Sequence, residues 1–531
     1  MKSGEKFSRK EFLKTILLAG IAIPFLQYCS QKAKGFLLKI TGTNHVLGHR
    51  LWAKNFPKYS EEISVKYFIA GAGISGLSAA RYFIQNDEND FLICEMENRI
   101  GGNSSNGQNR FSKFPLGAHY LPLPNKENKE IIEFLRESGL YLGDDENGFP
   151  ILDDEQLVFP QDERLFFKNS WQNDLVPQKG ISENTKKEFE RFFGLMDAFR
   201  VKKDNSGKYW FDIPIQNSSN IEDAKKLDTY TFEKWLSENH FSSEELLWFL
   251  DYSCRDDYGL GIRYVSAWAG IHYFAGRKNN WATNHKEQVF TWPEGNARLT
   301  KHLQKHSQNK ILKKHLVFDV RILKDKVQML AFDDSSKKTI KILAEKVLLA
   351  TPQFVNKHII KDRKIKPFNY VPWLLATLTL RNEFGGEEEL AWDNVIYGTE
   401  GLGYIYDQHQ NLSQNIGEKV ITYYRSFSTE NCDIARKKLF RMKDEDLKKI
   451  VLNDLKTAHP RIEDFILEID FHIIGHAMIA PVPNQIFGKE TEKAQQNIEE
   501  KIYFAHSDLS GISIFEEAFH QGITAAKQMM K

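Results

Sequence analysis

The stretch Val65–Asn103, VKYFIAGAGISGLSAARYFIQNDENDFLICEMENRIGGN, decides how this chain is read. It opens on the apolar run Val65–Ala70, which leads straight into Gly71, Gly73 and Gly76. Spaced apolar residues follow (Leu77, Ala80, Tyr82, Phe83, Ile84), then a second apolar run, Phe91–Cys94, that ends on Glu95. The pattern predicts strand, glycine turn, helix, strand and acid. Gly71 permits the tight turn, Gly73 lets the backbone approach a pyrophosphate, and Gly76 lets the helix pack closely on the sheet. Ile74 and Ser75 sit where that helix opens, and its free N–H groups and positive dipole end suit phosphates. Glu95 stands 19 residues past Gly76, where a carboxylate accepts hydrogen bonds from a ribose. A dinucleotide is the expected ligand.

Composition narrows the rest. A chain of 531 residues has room for roughly two to four domains of about 150 residues. Lys plus Arg number 72 against 71 for Asp plus Glu, a net charge of +1 that argues against nucleic acid as a partner. Thirty-eight phenylalanines suit a large apolar core or an apolar ligand cavity. Cys29, Cys94, Cys254 and Cys432 lie at no metal-ligand spacing and form no CxxC, so neither a metal site nor a disulfide framework is expected.

Residues 1–30 read as a targeting leader. Lys2, Lys6, Arg9, Lys10 and Lys14 give a basic start, and Thr15–Leu26 is an apolar run of 12 residues, short for a membrane span. Ser8–Lys14 resembles a twin-arginine export signal with Lys10 in place of the second arginine. Leu26-Gln27-Tyr28-Cys29 loosely resembles a lipobox, which would lipidate Cys29 and tie the chain to a membrane. An uncleaved anchor or amphipathic helix is the other reading. The expectation is an exported bacterial protein, periplasmic or membrane-anchored.

A second motif follows the acid. Arg99-Ile100-Gly101-Gly102-Asn103 offers bare backbone N–H groups beside the phosphates, and Pro115-Leu116-Gly117-Ala118-His119-Tyr120 comes next. Together with the turn and Glu95, these segments resemble the flavin-containing amine oxidase superfamily, which also holds protoporphyrinogen oxidases and phytoene desaturases. The resemblance runs over about residues 63–527 and implies FAD, held without a covalent bond, in place of a nicotinamide cofactor. It implies flavin contact for Gly117, Ala118 and His119. It puts the backbone of Val317 at the adenine, on the strand Leu316–Val320, and Thr351 at the end of the strand Lys346–Ala350. It gives Asp508 the ribityl or phosphate side, and Ala518 and Phe519 a helix start aimed at the flavin and pyrophosphate. Ser507 and Glu517 replace glycines usual in the superfamily. His119 and His476 are the catalytic candidates; a structural hydrogen-bonding role is the other reading of each.

The expected fold class is α/β, with a discontinuous Rossmann-like FAD-binding domain and an α+β substrate-binding domain inserted in two parts. Residues 1–30 are the leader and 31–62 a linker. Residues 63–125, 285–355 and 471–531 form the nucleotide domain, and 126–284 and 356–470 the substrate domain. Helices are expected at Ile131–Leu140, Lys186–Phe199, Phe232–His240, Glu244–Tyr252 and Asp444–Ala458, and strands at Leu374–Leu380 and Val420–Tyr424. Cys254–Gly259 reads as a solvated ion-pair cluster at a helix end. The function implied is an FAD-dependent oxidation of an amine or an apolar small molecule by hydride transfer. A non-redox flavoenzyme (isomerase or mutase) and a catalytically silent FAD-binding protein are the alternatives.

Overall fold

In the computed structural model the residues described are 31–33, 36–146, 150–278, 280, 288–361, 363–385, 390–410, 417–428 and 431–531. The leader, with Cys29, lies outside them. Val65–Ala70 is the buried end of the strand Tyr59–Ala70, the centre of a seven-stranded sheet. It runs parallel to Phe91–Glu95 on one side and to Lys338–Leu349 on the other. Ile311–Lys313 and Ile502–Phe504 add further parallel strands, and the hairpin strands His315–Ile322 and Val327–Asp333 extend the sheet antiparallel. The sheet therefore collects strands from three separated stretches of chain. Its central residues are apolar on both faces because parallel strands are covered on both sides.

One covering layer is a pair of helices. Ile74–Gln85 buries Leu77, Ala79, Ala80 and Phe83, and Phe515–Met529 packs along it. The approach is close. A Cβ added at Gly522 would stand 2.0 Å from the Ser75 carbonyl oxygen. Two hydroxyls lock the pair: Ser75 Oγ donates to the Ala518 carbonyl at 2.8 Å, and Ser78 Oγ to the Phe519 carbonyl at 2.9 Å.

The second sheet has nine strands, in the order 31–33, Phe36–Gly42, Ile466–Ile479, Tyr370–Leu380, Lys419–Ser426, Tyr404–Tyr406, Asp393–Ile396, Glu163–Phe167 and Ser170–Asn173. Two sequence boundaries are corrected here. Residues 31–62 are no linker: Phe36–Gly42 lies parallel beside Ile466–Ile479, Asn44 caps the helix His45–Ala53, and Tyr59 already begins the central strand. A strand whose only long partner is some 430 residues away leaves no local signature. Likewise the boundary at 470/471 cuts through the single strand Ile466–Ile479.

Against this sheet stand the helices Glu183–Val201, Phe232–Glu238, Glu244–Tyr258 and Ala267–Ala275. The expected helices lie within one to six residues of the observed ends, and Asp444–Ala458 is observed with those bounds. The interface is aromatic: Phe192, Phe211, Phe232, Trp268 and Tyr258 are all buried within it. No helix among the described residues is long and apolar enough to cross a membrane.

Candidate active site

The glycine turn is held by contacts that only glycine allows. Gly71 has φ +102°, and a Cβ there would come 2.5 Å from the Ala350 carbonyl oxygen. A Cβ on Gly76 would meet the Gly71 carbonyl oxygen at 2.0 Å. Gly73 is different: a Cβ would touch nothing within 4 Å, so open space faces the turn. Gly101 N–H donates to the Ala72 carbonyl at 2.8 Å and pairs across to Gly73, bringing the two glycine motifs together. Glu95 closes the turn, with Oε2 accepting from Ala72 N–H and Oε1 from Glu97 N–H, both at 2.8 Å. Burial pushes its carboxyl up to about 7. Donors such as ribose hydroxyls, by solvating the carboxylate, would draw it back down.

The remaining sequence candidates fall into three groups. Asn103, Gly117, Ala118 and His119 line one cavity, and Asn103 ties the turn after Gly101 to the strand Ile466–Ile479 by donating to the Ala477 carbonyl at 2.6 Å. Asp508 is fully buried, and its Oδ2 accepts from Gln353 N–H at 2.8 Å and Tyr370 OH at 2.6 Å, while Oδ1 accepts no hydrogen bond and lies 3.1 Å from His506 Nδ1. Thr351 follows the central strands and bonds Asn356, Arg99 is partly buried beside Glu97, and Val317 sits at a bulge in the strand His315–Ile322. None of these three lines the cavity. Ala518 and Phe519 are displaced from the expected role. Their helix begins at Phe515, Ala518 N–H already donates to the Ile514 carbonyl, and the Phe519 ring packs on Phe134. The free N–H groups of that helix belong to Phe515, Glu516 and Glu517 instead.

His476 is also corrected. A register shift between Val371 and Trp373 bulges the strand between Ile474 and Met478. Ile474, Ala477 and Met478 keep the cavity side, while the His476 ring stacks on Phe354, 4.2 Å between centroids. It does not face the cavity. His119 does, with its ring 4.7 Å from Tyr424 and 4.8 Å from Tyr120, and burial lowers its pKa to about 3, so it stays neutral.

The cavity encloses about 800 Å³, counting its open mouth. Its walls combine Trp373, Leu375, Tyr424, Ile474 and Phe515 with the charged groups Asp256, Asp257, Arg277 and Glu516. Arg277 pairs with Glu516 at 2.7 Å. Asp256 faces the Tyr120 hydroxyl at 3.4 Å. Burial raises the Asp256 carboxyl to about 6 and the Asp257 carboxyl to about 7, the latter despite the attraction of Arg277. Three carboxyls thus face one arginine, and no lysine lines the cavity.

Sequence reading missed the two aspartates, expecting them in a solvated cluster. In fact Arg255 turns away to Asp251, at 2.9 Å, and to the Glu400 carbonyl. The readable signal was the helix itself: Leu246, Phe249, Leu250 and Ser253 form a buried side, and Asp256 and Asp257 follow three and four residues after Ser253 on that same side.

A family profile described as flavin containing amine oxidoreductase matches residues 74–530. The chain belongs to that family. It is a flavin-dependent oxidoreductase of the amine oxidase superfamily. No curated protein sequence matches it. Solved structures share its fold: a double mutant of putrescine oxidase (TM-score 0.65, 16% identity, 88% of this chain and 99% of that one). Cyclohexylamine oxidase from Brevibacterium oxydans IH-35A aligns with TM-score 0.61 and 15% identity over 88% of this chain and 98% of its own. A CLA-producing fatty acid isomerase from P. acnes aligns with TM-score 0.61 and 14% identity over 88% and 99%.

The residues fit FAD. Open space at Gly73, a buried Asp508 oxygen that accepts no hydrogen bond and a carboxylate at the turn are the acceptors and cradle that a flavin dinucleotide requires. Replacing Glu95 by Ala is expected to weaken FAD binding by about 1.5–3 kcal/mol, roughly ten- to a hundredfold in Kd. Titration of apoprotein with FAD measures it, and an unchanged Kd would remove Glu95 from the site.

Proposed function

We propose that this enzyme oxidises an alkylamine, bound as its ammonium ion, with Asp256 and Asp257 as the groups that receive it and take its proton. The supporting observation is the charge of the cavity wall, where three carboxyls surround a single arginine. A protonated amine cannot release hydride, since its lone pair is engaged; it must first give up a proton. When bound, FAD accepts the hydride. The chain's residues do the rest. Asp256 and Asp257, held near neutrality by burial, draw the cation in and accept its proton at a carboxylate oxygen. Tyr120 OH steadies Asp256. Trp373, Leu375, Ile474 and Phe515 exclude water and clasp the substrate's carbon chain. Two of the neighbours are oxidases of putrescine and of cyclohexylamine, both amines, which agrees with this reading. The fatty acid isomerase neighbour supports a non-redox alternative, but an acidic cavity repels a carboxylate.

The test is anaerobic mixing of the FAD-loaded protein with alkylamines and with fatty acids. Amines are expected to bleach the flavin and fatty acids to leave it oxidised; bleaching by no amine would sink the proposal. The pH dependence follows from the raised pKa values. The acceptor works only when ionised, so kcat/KM falls as pH drops through about 7 to 6. In the complex the ammonium stabilises the carboxylate, so the corresponding limb of kcat lies at lower pH.

FAD is held without a covalent link in this reading. None of the cavity-lining residues is a cysteine: Cys94 and Cys432 sit on other elements, and Cys254, on the helix that carries Asp256 and Asp257, is fully buried and does not line the cavity. Acid precipitation should release all of the flavin into the supernatant. Export through the leader also belongs to this proposal, on the strength of its basic start and apolar run.

A further inference from the structure

Beside the main cavity lies a smaller chamber of about 220 Å³, counting its mouth. His119 lines both. The chamber's other walls include Trp292, Trp392, Tyr406 and Asp407. Asp407 is 6% exposed, and the Thr422 hydroxyl donates to its Oδ2 at 2.7 Å. Thr422 and Tyr424 alternate along the strand Lys419–Ser426, so they share the face on which Leu375 lines the main cavity. That spacing puts Tyr424 one step of about 7 Å from the residue that holds Asp407. Tyr424 is 5% exposed, and its hydroxyl has no hydrogen-bond partner. The carboxylates that act on it are Asp407, Asp256 and Asp393. No lysine or arginine lines the chamber, and His119 carries no charge to repel a cation.

We propose that this chamber is a second cation subsite, which receives the distal ammonium of a substrate whose other amine is oxidised in the main cavity. The enzyme then prefers diamines to monoamines of equal length. The inference rests on the amine reading above. Aromatic walls around a carboxyl are the arrangement that attracts an ammonium, through ring faces and a charge-assisted hydrogen bond together. Burial holds the Asp407 carboxyl well above the usual carboxylate range, and an arriving cation restores its charge. The unpartnered Tyr424 hydroxyl, in the wall of the main cavity beside His119, accepts a hydrogen bond from an ammonium.

The experiment is anaerobic flavin reduction by FAD-loaded enzyme with straight-chain terminal diamines, from propane- to octanediamine, each beside the n-alkylamine of the same carbon number. At the best chain length the diamine should half-saturate the rate at a concentration at least about tenfold below its monoamine. In Asp407→Asn, which keeps volume and the Thr422 contact, that ratio should fall to within about twofold, and Asp407→Glu should recover part of it. If monoamines reduce the flavin but no diamine is preferred, the subsite is refuted while amine oxidation stands. Persistence of the ratio in a folded Asp407→Asn protein refutes it equally. If no amine of either kind reduces the flavin, amine oxidation fails and the subsite with it. The wild-type length series decides even if the variant does not fold.

Discussion

Exchange of Asp256 and Asp257 together for asparagine is expected to slow flavin reduction by an alkylamine about 10²–10³-fold, with FAD content unchanged. Asparagine keeps the shape of each side chain but can neither ionise nor take the substrate's proton. The two positions must be changed together because their charges are coupled: each is the other's neighbour in an enclosed wall, and Asp256 raises the Asp257 carboxyl further. In either single variant the surviving aspartate, freed of that repulsion, ionises more readily and carries part of the work. The single variants are therefore expected to lose less than half of the logarithmic effect. Stopped-flow reduction across pH reads the result. A double variant that reduces at the wild-type rate, with its acid limb unmoved, would place the proton acceptor elsewhere.

Gly76→Ala should yield protein without bound FAD and with a lower melting temperature. The added methyl would stand 2.0 Å from the Gly71 carbonyl oxygen, at the start of the turn, and 3.3 Å from the Ile69 side chain, on the strand before it. Backbone atoms cannot rotate away, so helix and strand must separate, at a cost of about 1–3 kcal/mol. Gly73→Ala supplies the contrast. Nothing in the protein opposes its methyl, which projects into the space that the pyrophosphate needs. Its melting temperature should match the wild-type apoprotein while FAD affinity is lost. If Gly73→Ala bound FAD normally, the turn would not be the phosphate site.

How much of this was legible in sequence follows from where each signal is stored. The turn at Gly71–Gly76 and the acid Glu95 are local: glycine spacing and strand length fix their geometry, and Glu95 ends its strand against the turn, where it accepts from Ala72 N–H. Asp508 was expected at the end of a strand; the strand stops at Phe504 and the acid stands four residues on, in the turn Ser507–Leu509. His476 was not legible, because a bulge in its own strand, between Ile474 and Met478, turned it away from the cavity. Nor were Asp256 and Asp257, whose character comes from burial by elements more than a hundred residues distant, among them Tyr120 and Glu516. Ala518 and Phe519 failed by three residues, the ordinary error of placing a helix start without its cap.

The strand Phe36–Gly42 has its register partner in Ile466–Ile479, at the other end of the chain. During synthesis it leaves the ribosome long before any edge exists for it to pair with. The nine-stranded sheet can reach its full width only after more than four hundred further residues have been added, so its completion is necessarily a late event. Until then an apolar edge segment, with Phe36 and Leu38 destined for the core, stays unpaired and depends on chaperones or on rapid closure to escape aggregation. Deleting residues 36–42 would consequently leave the long strand Ile466–Ile479 as a bare edge, and its expected cost is paid in solubility before it is seen in catalysis.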